Sequence, residues 1–392
     1  MTRLISPRFA LAWGVSFFSG LAFFLFVHFP RYLEDLGAGP FRVGVIVGLA
    51  PFAALLIRPA IGRELDQRGR RPMIVAGNAL HVVALALYLT ITTIGPWLYV
   101  VRILHGFAEA LVFASVFTYA ADIVPDERRT QGLALFGVSG MLPVAVGGVV
   151  GDFVLGRWNF TALFATSVIL GALALLMSIT LVESMTPPGR HSDVSFTRPL
   201  FQRDLIPVWW ITFVFSFSLT AYFTFLRTFV DETGIGSVGA FFGAYATAAI
   251  LLRVFLGWLP DRIGLKRVLY PAMAVFAVGF VVLAFAHSPV SIVIAGALCG
   301  SGHGYCFPIL YAISFGRAQH RDRGSASAIY TGLFDLGTFL GAPALGKLIG
   351  TFGYSTMFIA ATMWVVTGVL TYALWDGDLR RRAPRTTPVS LP

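Results

Sequence analysis

"VGVIVGLAPFAALLIRPAIGRELDQRGRR", Val43 to Arg71, and "VGAFFGAYATAAILLRVFLGWLPDRIGLK", Val238 to Lys266, are two versions of one phrase. At a constant offset of 195 positions, Gly44 matches Gly239, Gly48 matches Gly243 and Arg58 matches Arg253. Gly62 then matches Gly257, Asp66 matches Asp261, Gly69 matches Gly264, and Arg71 gives way to Lys266 with the charge kept. With a one-residue gap, Arg31 also matches Arg227. Each copy is a long apolar run closed by a charged phrase; six of the ten residues from Gly62 to Arg71 are charged, against 12% in the whole chain. Two halves built from one unit are therefore expected.

The 392 residues are 57% hydrophobic. Soluble domains average roughly 45–50% apolar and about 25% charged residues, so this composition points to a membrane. Twelve apolar runs are legible, at 9–33, 41–61, 73–94, 97–121, 131–155, 160–182, 205–230, 237–258, 268–287, 290–314, 325–349 and 355–375. Each is near the ~20 residues that span the hydrocarbon core. They are predicted to be helices, because a chain in lipid must satisfy its own backbone groups, and the alternation of barrel strands is missing. The first run is longer than the roughly 7–15 residues of a signal-peptide core and ends in no small-x-small site, so it is read as a span that stays.

The polar stretch Glu183 to Asp204, with Pro187, Pro188 and Gly189, divides the runs into two sets of six. The expected organisation is an N-terminal six-helix bundle over 1–183, a cytoplasmic linker over 184–204, a C-terminal bundle over 205–378 and a basic tail over 379–392. Twenty-one of the 29 Lys and Arg residues fall in the termini and the even-to-odd connections. Basic residues mark the cytoplasmic side, so both termini are expected there, most simply at a bacterial plasma (inner) membrane. The net charge of +10 is then topology, and no nucleic-acid partner is expected. The "RRRAPR" tail reads as a positive-inside anchor, with contact to anionic membrane lipids as the alternative. Six spans per half give both copies the same orientation, a known transporter layout with the site between the halves near the midplane.

The charged phrase carries a resemblance. Gly62-x3-Asp66-x2-Gly69-Arg70-Arg71 resembles the loop 2–3 signature of the major facilitator superfamily, with Gln67 where a base is usual; Gly257-x3-Asp261-Arg262-x-Gly264-x-Lys266 keeps that base. Arg102-x3-Gly106 resembles the family's fourth-span signature, and "GYCFPILYA" and "GLFDLGTFLGAPALG" resemble spans 10 and 11 of its drug and sugar efflux branch. The resemblance implies an all-α membrane protein of 12 helices in two six-helix bundles related by a pseudo-two-fold axis. It also implies a cytoplasmic clasp. In it Asp66 accepts hydrogen bonds from the start of span 11, and Arg70 pairs with an acid at the end of span 4, here Asp122. The second copy would close the other seam through Asp261, but Gly316 stands where its matching acid is sought. In span 5, "GMLPVAVGGVVGD" keeps Pro143 and Gly147-Gly148 of the antiporter motif, while Met141 and Leu142 break its Gly-Pro pair.

Ionisable groups inside spans are functional candidates, since each costs roughly 2.5–3.5 kcal/mol on insertion. Arg102, His105 and Glu109 fall within a stripe about 60° wide on span 4, expected to face a wet crevice. Glu109 is the expected proton carrier; a static Arg102–Glu109 pair is the alternative. "HGFAEALVF" also resembles "HGYCFPILY", setting His105 over His303 and Glu109 over Phe307. Asp335, between Gly332 and Gly337, is the second intramembrane acid, for a cationic substrate group or a proton, with a helix-to-helix hydrogen bond as the alternative. His303 could bind substrate or simply pack, as could His81. Arg31 with Glu34 and Asp35, and Arg227 with Asp231, are read as local ion pairs, with attraction of an anionic substrate as the alternative. Cys299 and Cys306 are seven apart, too far on a helix for a disulfide. No Cys/His cluster, Ser/His/Asp set or phosphate loop suggests a metal, a cofactor or an enzyme. The expected function is export of a small organic molecule by a monomer using protons as the coupling ion, with proton symport, facilitated import or lipid flipping as alternatives.

Overall fold

The computed structural model describes residues 6–125, 129–184, 197–319 and 322–376, excluding the side chains at positions 62, 63, 66, 129–131 and 134. All regular structure among the described residues is helical. Among the described residues, eleven helices are long and apolar enough to cross a membrane. Ten give span 1 (Pro7–Asp35), span 2 (Pro40–Arg68), span 3 (Arg70–Thr90), span 4 (Pro96–Ile123), span 5 (Arg129–Arg157), span 6 (Phe160–Ile179), span 7 (Ile206–Thr233), span 8 (Val238–Leu256), span 9 (Leu265–Ala284) and span 10 (Pro289–Arg317). The last helix, Arg323–Trp375, breaks at Gly353, where φ is 81°, into spans 11 (323–352) and 12 (354–375). The protein is thus an integral, multi-pass membrane protein.

Local chemistry sets the helix starts. Ser6, Asn159, Ser237 and Ser288 each accept a hydrogen bond from the backbone N–H three residues on, and Pro7, Pro40, Pro96 and Pro289 occupy first helical positions, where proline loses nothing. The repeated phrase is not a loop in its first copy: span 2 stays helical through Arg68, so Gly62 and Asp66 lie in its last two turns. In the second copy span 8 stops at Leu256 and a short helix, Leu259–Ile263, follows Gly257. Both copies end on a glycine with positive φ, 92° at Gly69 and 105° at Gly264. There an L side chain would be strained, which explains why the repeat holds glycine at that position.

Within the first half, span 1 packs on spans 5 and 6, span 3 on 4 and 6, and span 2 on 4; in the second, span 8 packs on 10, and span 9 on 10 and 12. Glycines allow the closest approaches: Gly106 lies against the Ala50 carbonyl and Gly300 against the Tyr245 carbonyl, the same contact in each half. The halves meet along two seams, span 2 with span 11 and span 5 with span 8. One end of the molecule carries the 2–3, 4–5, 8–9 and 10–11 connections and is called the basic end; the other is the far end. At the far end the first seam is backbone on backbone, with Gly346 against Pro40 and Gly44 against Ala342. The hydrogen bonds, ion pairs and ring contacts between the halves run from the far end to Phe52–Phe339 and Arg58–Thr331 on this seam, among the described residues. Span 2 continues ten residues past Arg58, about 15 Å. A crevice therefore opens between the halves toward the basic end.

Candidate functional site: the crevice and its two ends

The span 4 stripe divides. Glu109 is partly exposed and makes no hydrogen bond or ion pair among the described residues; the charges acting on it are Asp335, Arg102 and Arg58. Arg102 is 5% exposed and faces its own half instead. It donates to Ile46 O (3.2 Å), Val47 O (2.8 Å) and the Tyr88 hydroxyl (3.1 Å), and lies over the Phe29 ring. Pro51 explains this choice. It has no N–H to offer the carbonyl four residues back, so Val47 O is left for an outside donor. The static Arg102–Glu109 pair is not formed. His105 is fully buried, bonded through Nδ1 to the Tyr88 hydroxyl (3.1 Å) and stacked on His81, and it does not touch Glu109. All three lie on one side of the span 4 helix. Arg102 and His105, however, lie nearer the far end, where the crevice has closed and the same face becomes core.

Asp335 pairs with Arg58 Nε, and Arg58 Nη1 reaches Thr331 Oγ1 at 3.2 Å. The pair crosses from span 11 to span 2 and so joins the halves. Arg58 was visible in the sequence only as a matched position of the repeat; its placement inside an apolar run was the signal. Its counterpart Arg253 donates to Gly304 O (3.2 Å), the carbonyl freed by Pro308. His303 is partly buried, with Nδ1 on the Tyr245 hydroxyl, which also meets the Tyr222 hydroxyl at 3.4 Å; the Phe215 and Phe307 rings flank it. The matched contacts of Gly106 with Ala50 and Gly300 with Tyr245 set the register of the halves. Three residues further on, Glu109 corresponds in position to His303, not to Phe307. The sequence comparison of the two His-Gly pairs had slipped by about one turn.

At the basic end Arg70 Nε donates to Asp122 Oδ2 at 3.0 Å, the expected pair. Glu183, just beyond span 6, accepts from the first N–H groups of span 3, Arg70 (2.9 Å) and Arg71 (3.0 Å), as suits an anion at a helix N-terminus. Arg71 also donates to Ile179 O. The second half does have an acid, at the end of span 12 rather than span 10: Asp376 binds Lys266 and both terminal nitrogens of Arg317 (2.6 and 2.7 Å). Burial pushes the Asp376 carboxyl up, but the hydrogen bonds from Arg317 and Lys266 outweigh it and hold it below the usual carboxylate range. Asp261 is exposed and bonds to nothing across the seam among the described residues, and Arg262 lies over the Trp258 ring. The expected grip of Asp66 on span 11 falls on a side chain outside the described residues, as do the basic tail and most of the linker.

At the far end the arginines form the expected local pairs, Arg31–Asp35 (3.0 Å) and Arg227–Asp231 (2.8 Å). They also cross between halves: Arg31 reaches Asp231 (3.8 Å) and Arg227 reaches Asp152 (3.1 Å). Asp152 was read only as the last letter of the span 5 motif. Cys299 and Cys306 are free and buried.

The repeated bundles, paired seams and central crevice agree with the comparison to family models, in which the Major Facilitator Superfamily matches residues 11–241 and 208–391. The chain belongs to this superfamily. It is therefore a transporter and not an enzyme. It is 23% identical over 375 residues to the multi-drug resistance efflux pump PmrA of Streptococcus pneumoniae, covering 92% of this chain and 94% of that protein. It is 24% identical over 368 residues to the staphylopine export protein of Staphylococcus aureus, covering 89% and 91%. The multidrug resistance protein MdtG of Dickeya zeae is 24% identical over 400 residues, covering 96% and 95%. Among solved structures, the nucleoside transporter NupG superimposes with a TM-score of 0.74 at 14% identity, over 96% of this chain and 100% of that one. A POT family transporter solved with a thioalcohol-conjugated peptide gives 0.79 at 12%, over 95% and 96%. These two likenesses concern the fold.

Proposed function

We propose that the chain is a proton-coupled exporter of a small organic molecule, working by alternating access of the crevice to the two sides of the membrane. The observation that carries this reading is Glu109: a partly exposed residue, without a hydrogen-bond or ion-pair partner among the described residues, beside an Arg58–Asp335 pair that joins the halves. A proton taken by Asp335 would weaken its hold on Arg58 and free the halves to rock; Glu109, open to the crevice, is the group that receives the proton first. His303, at the position equivalent to Glu109, is assigned to the substrate wall with Asp335. Arg102 and His105 support Glu109 from behind rather than touching substrate. Export is favoured over import by efflux relatives that match nearly the whole chain. The basic end is assigned to the cytoplasm by its excess of Lys and Arg, which makes this the inward-open state, with the clasp residues Gly62, Asp66, Gly69, Arg70, Arg71 and Asp122 closing it in the opposite state. The halves are divided as 1–183 and 205–378, and the carrier acts as a monomer.

The test is Glu109→Gln in reconstituted vesicles with an imposed pH gradient, using a substrate found by screening lipophilic dyes and antibiotics. Uphill, gradient-driven transport is expected to disappear while exchange at equal pH persists. Uphill transport at the unaltered rate would remove Glu109 as the coupling group.

A further inference from the structure

The two seams are held shut at the far end by different means. Along spans 2 and 11 the contact is glycine against backbone, with Gly44 on Ala342 and Gly346 on Pro40. Along spans 5 and 8 a carboxylate does the work. Asp152, on span 5, sends Oδ2 across the seam to the Gly239 N–H at 2.6 Å, within the first turn of span 8, and Oδ1 to Arg227 Nη1 of span 7 at 3.1 Å. Each oxygen thus holds a different helix of the other half.

The two donors that meet Asp152 are strong ones. Gly239 N–H is one of the backbone donors left without an intrahelical partner at a helix start, where the dipole also favours an anion. A guanidinium is the strongest available second donor. Span 1 adds His28, fully buried, whose Nδ1 lies 3.4 Å from Arg227 and 3.9 Å from Asp152. Arg227 is itself held by Asp231 on its own helix, and Asp231 by Arg31 of the first half. The fit leaves no slack: a Cβ at Gly239 would sit 3.0 Å from Asp152 Oδ2, and one at Gly151 would overlap His28.

We propose that Asp152 is the latch of the far end, a positioning residue whose grip on the span 8 N-terminus and Arg227 sets how often the crevice opens to that side. All of its cross-seam bonds must break when spans 5 and 8 part there, whereas the glycine seam beside it gives up only van der Waals contact. The latch therefore stabilises the state seen here and not the opposite one. This rests on the alternating-access reading and is independent of the proton-coupling one.

Spin-label distances in the full-length protein test it. Cys299 and Cys306 are replaced by Ala, and one label pair is placed at the far end (Gly156→Cys with Thr233→Cys), another at the basic end (Gln67→Cys with Gly324→Cys). Asp152→Ala is expected to raise the far-end-open population roughly tenfold or more, the shift that one lost charged hydrogen bond produces, and to shorten the basic-end distances in step. Asp152→Asn keeps an acceptor for the Gly239 N–H and should fall between, a graded rescue that a merely structural residue would not give. Unchanged distances in a monodisperse Asp152→Ala protein overturn the proposal. If that variant does not fold, the Asp152→Asn distances decide in the same way. A basic-end distance that is single-valued under every condition would instead sink alternating access itself.

Discussion

The Arg58–Asp335 pair offers the sharpest measurement on the crevice. Its two side chains are 15% and 16% exposed, so it lies between the surface pairs worth about 0–1 kcal/mol and the fully buried pairs whose single removal costs about 3–5 kcal/mol. An intermediate cost of about 1–3 kcal/mol is reasonable. Because the partners sit on spans 2 and 11 of different halves, this cost falls on the conformation in which they touch. Asp335→Asn or Arg58→Gln alone should shift the balance of the two conformations by roughly 5–150-fold, read as reactivity of a far-end cysteine toward an impermeant maleimide. The double variant should cost much less than the two single changes summed, since neither charge is left stranded. A double-mutant cycle supplies the coupling energy directly. Strict additivity of the two single effects would refute the argument, for it would mean that the groups do not stabilise one another across the seam.

Two other expectations follow from packing and from charge. Gly106→Ala places a methyl 2.0 Å from the Ala50 carbonyl and should cost about 1–3 kcal/mol. Gly140→Ala meets open space and should gain about 0.5–1 kcal/mol through helix propensity; thermal unfolding in detergent compares them. Asp376 has a folded-state pKa below its ordinary 3.8, so its contribution is complete above that value and is lost as pH falls through the folded one. Asp376→Asn should therefore reduce stability by about 1 kcal/mol, discounted for solvent screening, evenly from pH 5 to 8. The difference from the parent protein should shrink as unfolding is measured at pH values progressively further below the ordinary carboxylate range.

The fold was legible because its causes are local and repeated. Apolar runs of membrane length, polar connections between them and a duplicated phrase all sit in the linear order, and lipid leaves helices as the form those runs can take. The crevice was less legible. Helical angle placed Arg102, His105 and Glu109 on one stripe, but depth along the axis decides which of them meets water, and depth depends on where the halves touch. Arg102 had a nearer task that the sequence did state, in the form of Pro51 and the carbonyl it leaves open four residues earlier. Asp376 was missed because symmetry was sought at the end of span 10. Asp152 was missed because it closes an apolar motif, and nothing in the chain order says that span 8 begins beside it.

The glycine seam along spans 2 and 11 has a kinetic consequence. Knobs seated in holes must be withdrawn before two helices can part, and every withdrawal opens a transient void. A joint made of bare main chain, as where Gly44 rests on Ala342, has no such pegs. At this end the joint can hinge or slip sideways through a continuum of near-contact positions, so the barrier to turning the carrier over is set by Arg58–Asp335 and Phe52–Phe339 further along the same seam and by the charged groups of the other, while the bare end serves as a smooth bearing.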